Sequence, residues 1–194
     1  MSDKLDILLN DIRACRLCEG DLPLGPRPII QLHSKSKILI AGQAPGKRVH
    51  ESGVPWDDPS GQRLREWLGV DANIFYDAEK VALVPMGFCY PGTGKSGDLP
   101  PRKECVQTWH QNILKQMLSL ELTIVIGKYA HDYYLKGQQK DNLTKTVQAW
   151  KDYAPSVIPL PHPSPRNNIW LKKNPWFEKE LIPVLRKTVE QVIA

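Results

Sequence analysis

The chain is poor in several things that would settle its class at once. None of its 194 residues belongs to an apolar run near the roughly 18 to 20 that a membrane span needs. The N-terminal MSDKLDILLNDIRACRLC is amphipathic and lacks the uninterrupted apolar stretch of a signal peptide. Internal repeats and low-complexity tracts are absent, and no obvious linker divides the chain. A soluble, cytoplasmic, monomeric protein of one domain, with no membrane partner, is expected. Charge of one sign is also scarce: 26 Lys and Arg against 21 Asp and Glu leave a net +5, which suits a polyanionic partner without requiring one. With 41% hydrophobic residues the chain has enough apolar surface to build a core, which excludes intrinsic disorder.

Proline and glycine, by contrast, are abundant, at 17 and 13 residues. They cluster in segments that read as long shaped loops, the kind that carry sites. Between the loops lie four short apolar runs without alternation, KILIAG (37–42), KVALVP (80–85), LTIVIG (122–127) and SVIPLP (156–161). Runs of this length, partly β-branched, are what strands buried on both faces of a parallel sheet look like. Leu5, Leu8, Leu9 and Ile12 share one helical face over 3–14. Further helices are expected over 60–68, 102–120, 128–135, 144–150 and 176–192, and 20–36 reads as an extended wrap. The alternation predicts an α/β fold, a three-layer α/β/α sandwich around a central four-stranded parallel sheet with right-handed crossovers.

In an open parallel sheet the ligand crevice lies beyond the carboxyl ends of the strands. GQAPG follows the first predicted strand and HPSPRN the fourth, so the two segments least able to continue strand or helix should converge there. Gly42 to Gly46 has neither the P-loop nor the dinucleotide pattern. The GVPWDDPSG that follows offers Trp56 as a stacking surface, the acids Asp57 and Asp58, and a helix start near Ser60. His162, between prolines at the tip of the last strand, is placed to stabilise an oxygen that becomes negative. Ser164, Arg166, Asn167 and Asn168 form a polar tip suited to phosphates or to wedging into a base stack. Cys15, Cys18, Cys89 and Cys105, one CxxC and a pair fifteen residues apart in the intervening sequence, suit a metal site in an intracellular protein better than disulfides. Zinc, a 4Fe-4S cluster or no metal all remain open on spacing alone.

Together these motifs resemble the uracil-DNA glycosylase superfamily, and most closely its iron-sulfur branches, family four and family five. GQAPG, GVPWDDPSG and HPSPRN match that superfamily's motifs in order and spacing, and the cysteines resemble the family-four cluster pattern. The resemblance implies DNA as partner, a 4Fe-4S cluster on the four cysteines, and monofunctional hydrolysis of the N-glycosidic bond of uracil or a related deaminated base after base flipping. Trp56 would stack on the base and His162 would stabilise it as it leaves. Gly42, Ala44, Met86, Ser164, Arg166 and Asn167 would contact substrate. Two positions depart from the pattern. Gln43 stands where family four carries an acid that activates water, which makes Asp58, or else Asp57, the replacement expected. Pro85 stands where an asparagine reads the uracil edge, leaving backbone groups near Met86 to do so. The alternatives are a non-catalytic protein that binds lesions or single strands, and an enzyme acting on a free nucleobase or nucleotide.

Overall fold

The computed structural model describes residues 2–95 and 97–194. Four parallel strands, β1 (Ile38–Ala41), β2 (Val81–Leu83), β5 (Leu122–Ile126) and β6 (Val157–Leu160), form one sheet in the order β2-β1-β5-β6. A two-stranded hairpin, β3 (Thr93–Gly94) and β4 (Gly97–Asp98), stands apart from it. The four sheet strands fall within the four apolar runs, each stopping within two residues of a glycine or proline at its carboxyl end.

Alternation along the strands sorts the core into two faces. Ile38 and Ile40 of β1, with Leu122, Ile124 and Ile126 of β5, pack with Leu64 of α3 (Pro59–Leu68), Val147 of α8 (Leu143–Gln148) and Leu185 of α10 (Ile182–Ile193). Leu39 and Ala82 face the other way. They meet Leu5, Leu9 and Ile12 of α1 (Ser2–Arg13) and Ile113 of α6 (Gln111–Gln116), while Ala41 and Val125 meet Ala130 of α7 (Gly127–Tyr134). Helices therefore cover both faces, as expected for a three-layer sandwich.

Both sheet edges are closed to further pairing. Gln31 of the wrap exchanges backbone hydrogen bonds with Leu83 at 2.7 and 3.0 Å, and its amide reaches the carbonyls of Phe75 and Val81. On the far edge Pro159 of β6 has no N–H to offer.

Four elements were not foreseen in the sequence: the hairpin, α2 (Lys47–Ser52), α4 (Ala72–Phe75) and α9 (Asn168–Lys173). The expected helix over 102–120 is α5 (Lys103–Cys105), a π-turn over Val106–His110, and α6. That wide turn swings His110 under the end of β2. There its Nε2 donates to the Pro85 carbonyl at 3.1 Å, and its ring stacks on Phe88 with centroids 5.4 Å apart. Burial lowers its pKa to about 4.

An unfolded chain carries an ordinary histidine, with pKa near 6.5, so between that value and 4 the unfolded state binds a proton that the native state refuses. Stability should therefore fall as pH drops through this window, by about 3 kcal/mol for His110 alone. Urea midpoints measured at pH 7 and pH 4.5 should show this loss reduced in His110→Gln; an equal loss in both proteins would assign the pH dependence elsewhere.

Candidate active site

The strand order reverses at β1: the chain moves to β2 on one side and returns to β5 on the other. Such a switch point opens a crevice at the carboxyl ends of the strands. A cavity of about 480 Å³ lies there, large enough for one heterocycle with its sugar. Its floor is the Gly42–Gly46 turn with Pro85 beneath, and the His162–Asn167 segment lines its side. The floor is tied to the end of β2. Met86 N–H donates to the Gly42 carbonyl at 2.8 Å and Gly87 N–H to the Gln43 carbonyl at 2.9 Å, extending the β1–β2 pairing past both strands.

The Trp56 wall is held by an unusual backbone. Trp56 has φ +59, a left-handed conformation that a bulky residue adopts only under constraint. Two glycines supply it. A Cβ on Gly61 would stand 1.8 Å from the Trp56 carbonyl oxygen, and one on Gly42 would stand 2.8 Å from its indole ring. The same bend turns Asp58 into the N-cap of α3, where its Oδ1 accepts from Gly61 N–H at 2.7 Å, and Asp58 lines the cavity.

Asp57 does not line the cavity, although its neighbour Asp58 does. Met86 is likewise not at the cavity. Its side chain is buried with Ala41, Val125 and Ala130, and its N–H is already engaged, so it offers no group to a base edge.

His162 has a determined tautomer. Ser164 N–H donates to its Nδ1 at 3.2 Å, so Nδ1 is an acceptor and Nε2 carries the proton. Burial pushes its pKa down, against the opposing pull of Asp58 and Asp98, so the ring is a neutral donor at neutral pH. Asn167 Nδ2 donates to the His162 carbonyl at 2.7 Å and Ser164 Oγ accepts from Arg166 N–H at 3.2 Å, which fixes the loop that presents the ring. The Trp56 and His162 rings are 5.9 Å apart and tilted by 31°. A flat heterocycle between them would need about 7 Å, two contact distances of roughly 3.5 Å, more than the rings leave.

Gln43 donates through Nε2 to the Leu99 carbonyl at 3.0 Å, leaving Oε1 as the acceptor it offers. Leu99 follows the hairpin, and Gly97 and Asp98 of that hairpin line the cavity. Asp98 is not among the site residues expected from the sequence. The readable signal was GTGKSGD itself, three glycines closing on an acid between Cys89 and Cys105.

Gly42, Gln43, Ala44, Trp56, Asp58, His162, Ser164, Arg166 and Asn167 thus surround one space. The uracil DNA glycosylase superfamily model matches residues 30–186, which span every one of them. The chain belongs to that superfamily. Among solved structures, a solution NMR structure of a candidate uracil DNA glycosylase from Methanosarcina acetivorans is 16% identical, with a TM-score of 0.48 over 81% of this chain and 93% of that one.

The four cysteines also approach one another, away from the glycosylase-like pocket. Cys15 and Cys18 follow α1, Cys89 follows β2, and Cys105 ends α5; none is in a disulfide. Cys89 and Cys105 each feel the charge of Cys15 and Cys18, and burial pushes their thiols up to about 11 and about 12. Backbone N–H groups of Arg27 and Phe88 are directed at the sulfurs of Cys89 and Cys105, the latter at 3.4 Å. Among the described residues, no three histidine, cysteine or acidic side chains form a group that could hold one metal ion. No helix among the described residues is long and apolar enough to cross a membrane.

Replacing Gly61 with alanine should shift the Trp56 turn and cost about 1 to 3 kcal/mol, the usual range for forcing atoms into a filled space. Chemical denaturation followed by tryptophan emission should report both effects, and a Gly61→Ala protein with wild-type midpoint and spectrum would show that the Trp56 wall is not constrained there.

Proposed function

We propose that this pocket hydrolyses the N-glycosidic bond of a deaminated base, uracil or a close relative, after the nucleotide has swung out of DNA. Membership of the superfamily supports a DNA glycosylase role, and the observation that carries the finer reading is the neutral His162 with its Nε2–H facing the same cavity as Trp56 and Gln43. As the C1′–N bond breaks, its electron pair moves onto the base and charge develops on the carbonyl oxygen beside the reacting nitrogen. A neutral N–H donor held in place stabilises that charge without first having to lose or gain a proton. Trp56 gives the base a stacking face, and Gln43 Oε1 can accept an N–H from the base edge, a role for which Pro85 has no group. Among the described residues no lysine lines the cavity, which agrees with hydrolysis in place of a Schiff base on the sugar. Arg166 at the mouth, together with the net +5, favours the phosphate backbone.

We further propose that Cys15, Cys18, Cys89 and Cys105 hold a 4Fe-4S cluster, which places the protein in the iron-sulfur branch of the superfamily. The four thiols are mutual neighbours and none is in a disulfide, which suits ligands shared by one centre. Backbone N–H groups aimed at two of the sulfurs suit thiolate ligands. Such a cluster supplies a cross-link between the end of α1 and both ends of the 89–105 segment. The protein is proposed to act as a monomer in the cytoplasm.

Single-turnover assays on uracil-, hypoxanthine- and xanthine-containing oligonucleotides should yield alkali-labile sites on at least one. His162→Ala should slow that reaction at least roughly tenfold while leaving DNA affinity nearly unchanged. Intact strands throughout the panel, with specific binding retained, would instead identify a lesion-binding protein, a reading that Gln43 in place of an acid would then explain.

Protein purified without oxygen should be brown, with absorbance from sulfur-to-iron charge transfer that disappears in Cys89→Ser. Colourless protein with stoichiometric zinc would overturn the cluster.

A further inference from the structure

The hairpin brings a second carboxylate to the pocket. Asp98 Oδ1 accepts from the Thr93 hydroxyl at 3.2 Å, and Thr93 Oγ1 is 2.6 Å from the Tyr90 hydroxyl. A consistent polarity runs Tyr90 to Thr93 to Asp98, each hydroxyl donating to the next oxygen and the last to the carboxylate. The other carboxylate oxygen, Oδ2, lies over the floor, 3.3 Å from where a Cβ on Gly46 would stand. Asp98 acts electrostatically on His162, as does Asp58, so both acids face the ring from within the same space.

The two acids are not equivalent. Asp58 is committed to the start of α3 and sits on the Trp56 side, whereas Asp98 stands on the hairpin. The hairpin is fixed to the pocket by two contacts: the Gln43 amide holds the Leu99 carbonyl, and Gly97, at φ +136, leaves just enough room for the Arg166 guanidinium, 3.0 Å from its absent Cβ. A carboxylate at the mouth of a site for a polyanion repels phosphates. That arrangement is useful only where positive charge arises on the ligand.

We propose that Asp98 faces the sugar of the flipped nucleotide, stabilises the positive charge that develops at C1′, and takes the proton of the attacking water. This role rests on the base-excision reading and supplies the acid that Gln43 cannot. The C1′–N bond breaks with its electron pair departing on the base, which His162 steadies. A water oxygen bonds to C1′, and the proton it sheds goes to Asp98 Oδ2. Thr93 and Tyr90 act as positioning residues for Asp98.

The test uses two readouts. In single-turnover excision, Asp98→Asn should fall at least about 100-fold, the low end for losing a positioned base, while its affinity for undamaged duplex holds or tightens. In binding, wild-type protein should prefer an oligonucleotide carrying a cationic pyrrolidine in place of the sugar over one carrying neutral tetrahydrofuran, by about tenfold, as expected for a close charge pair at a partly wet site. Asp98→Asn should lose that preference and Thr93→Val should lose part of it.

If wild-type protein shows the cation preference through Asp98 but excises nothing, the base-excision reading fails and the carboxylate's placement stands. No preference in the wild type, a preference untouched in Asp98→Asn, or its loss in Asp58→Asn alone would each overturn the assignment to Asp98.

Discussion

The close approach of Trp56 to two glycines is the constraint from which the rest of the pocket follows. With φ +59 at Trp56, its carbonyl lies on the backbone of Gly61 and its ring on Gly42, so one residue joins the first turn of α3 to the turn after β1. A side chain at either glycine would separate them. The same bend orients Asp58 to cap α3, and that cap fixes the direction of the helix that packs Leu64 into the core. Local strain at Trp56 is thus offset by burial on one side and capping on the other, the arrangement expected where a site over-determines an unfavourable conformation.

Much of this was legible in the sequence, for a physical reason. β-strands buried on both faces have few ways to appear as text, and KILIAG, KVALVP, LTIVIG and SVIPLP all became strands of one parallel sheet. Given that sheet, topology alone places Gln43 and His162 on one crevice. What stayed hidden depends on contacts with no periodic signature. A two-residue strand such as Thr93–Gly94 carries no alternation, so Asp98 could not be assigned to the pocket. Met86 lies one position beyond Pro85, which lines the cavity, yet its own side chain turns to the core, a distinction only the pleat can make. Asp57 and Asp58 were nearly interchangeable as text, and it is the cap on α3 that sets Asp58 at the cavity.

Electrostatically the site is divided. Outside, the excess of Lys and Arg favours a polyanion. Inside, His162 is kept neutral by burial, and two carboxylates face it. A protonated histidine would attract those acids and compete with the ligand for them; a neutral one donates a single N–H and leaves both acids to face the ligand. The assignment of Nδ1 as acceptor rests on a backbone N–H, which cannot reverse its polarity, and so it holds regardless of how the side-chain protons are arranged.

The 89–105 segment links the chemistry of the two regions. Its ends are the sulfurs of Cys89 and Cys105, each near the thiols after α1, and its middle is the hairpin at the pocket mouth. A loop closed at its base has less conformational freedom to lose when its tip is ordered. Anything that ties the four thiols together therefore also restrains Asp98, Gly97 and the Leu99 carbonyl that holds Gln43. A side chain asked to stand against a transient charge needs placement to within a fraction of an ångström. A two-rung hairpin cannot provide that alone, because it has too few backbone hydrogen bonds and no buried face. The restraint comes from the Gln43–Leu99 contact, from Arg166 against Gly97, and from the ends of the segment, where the cysteines are.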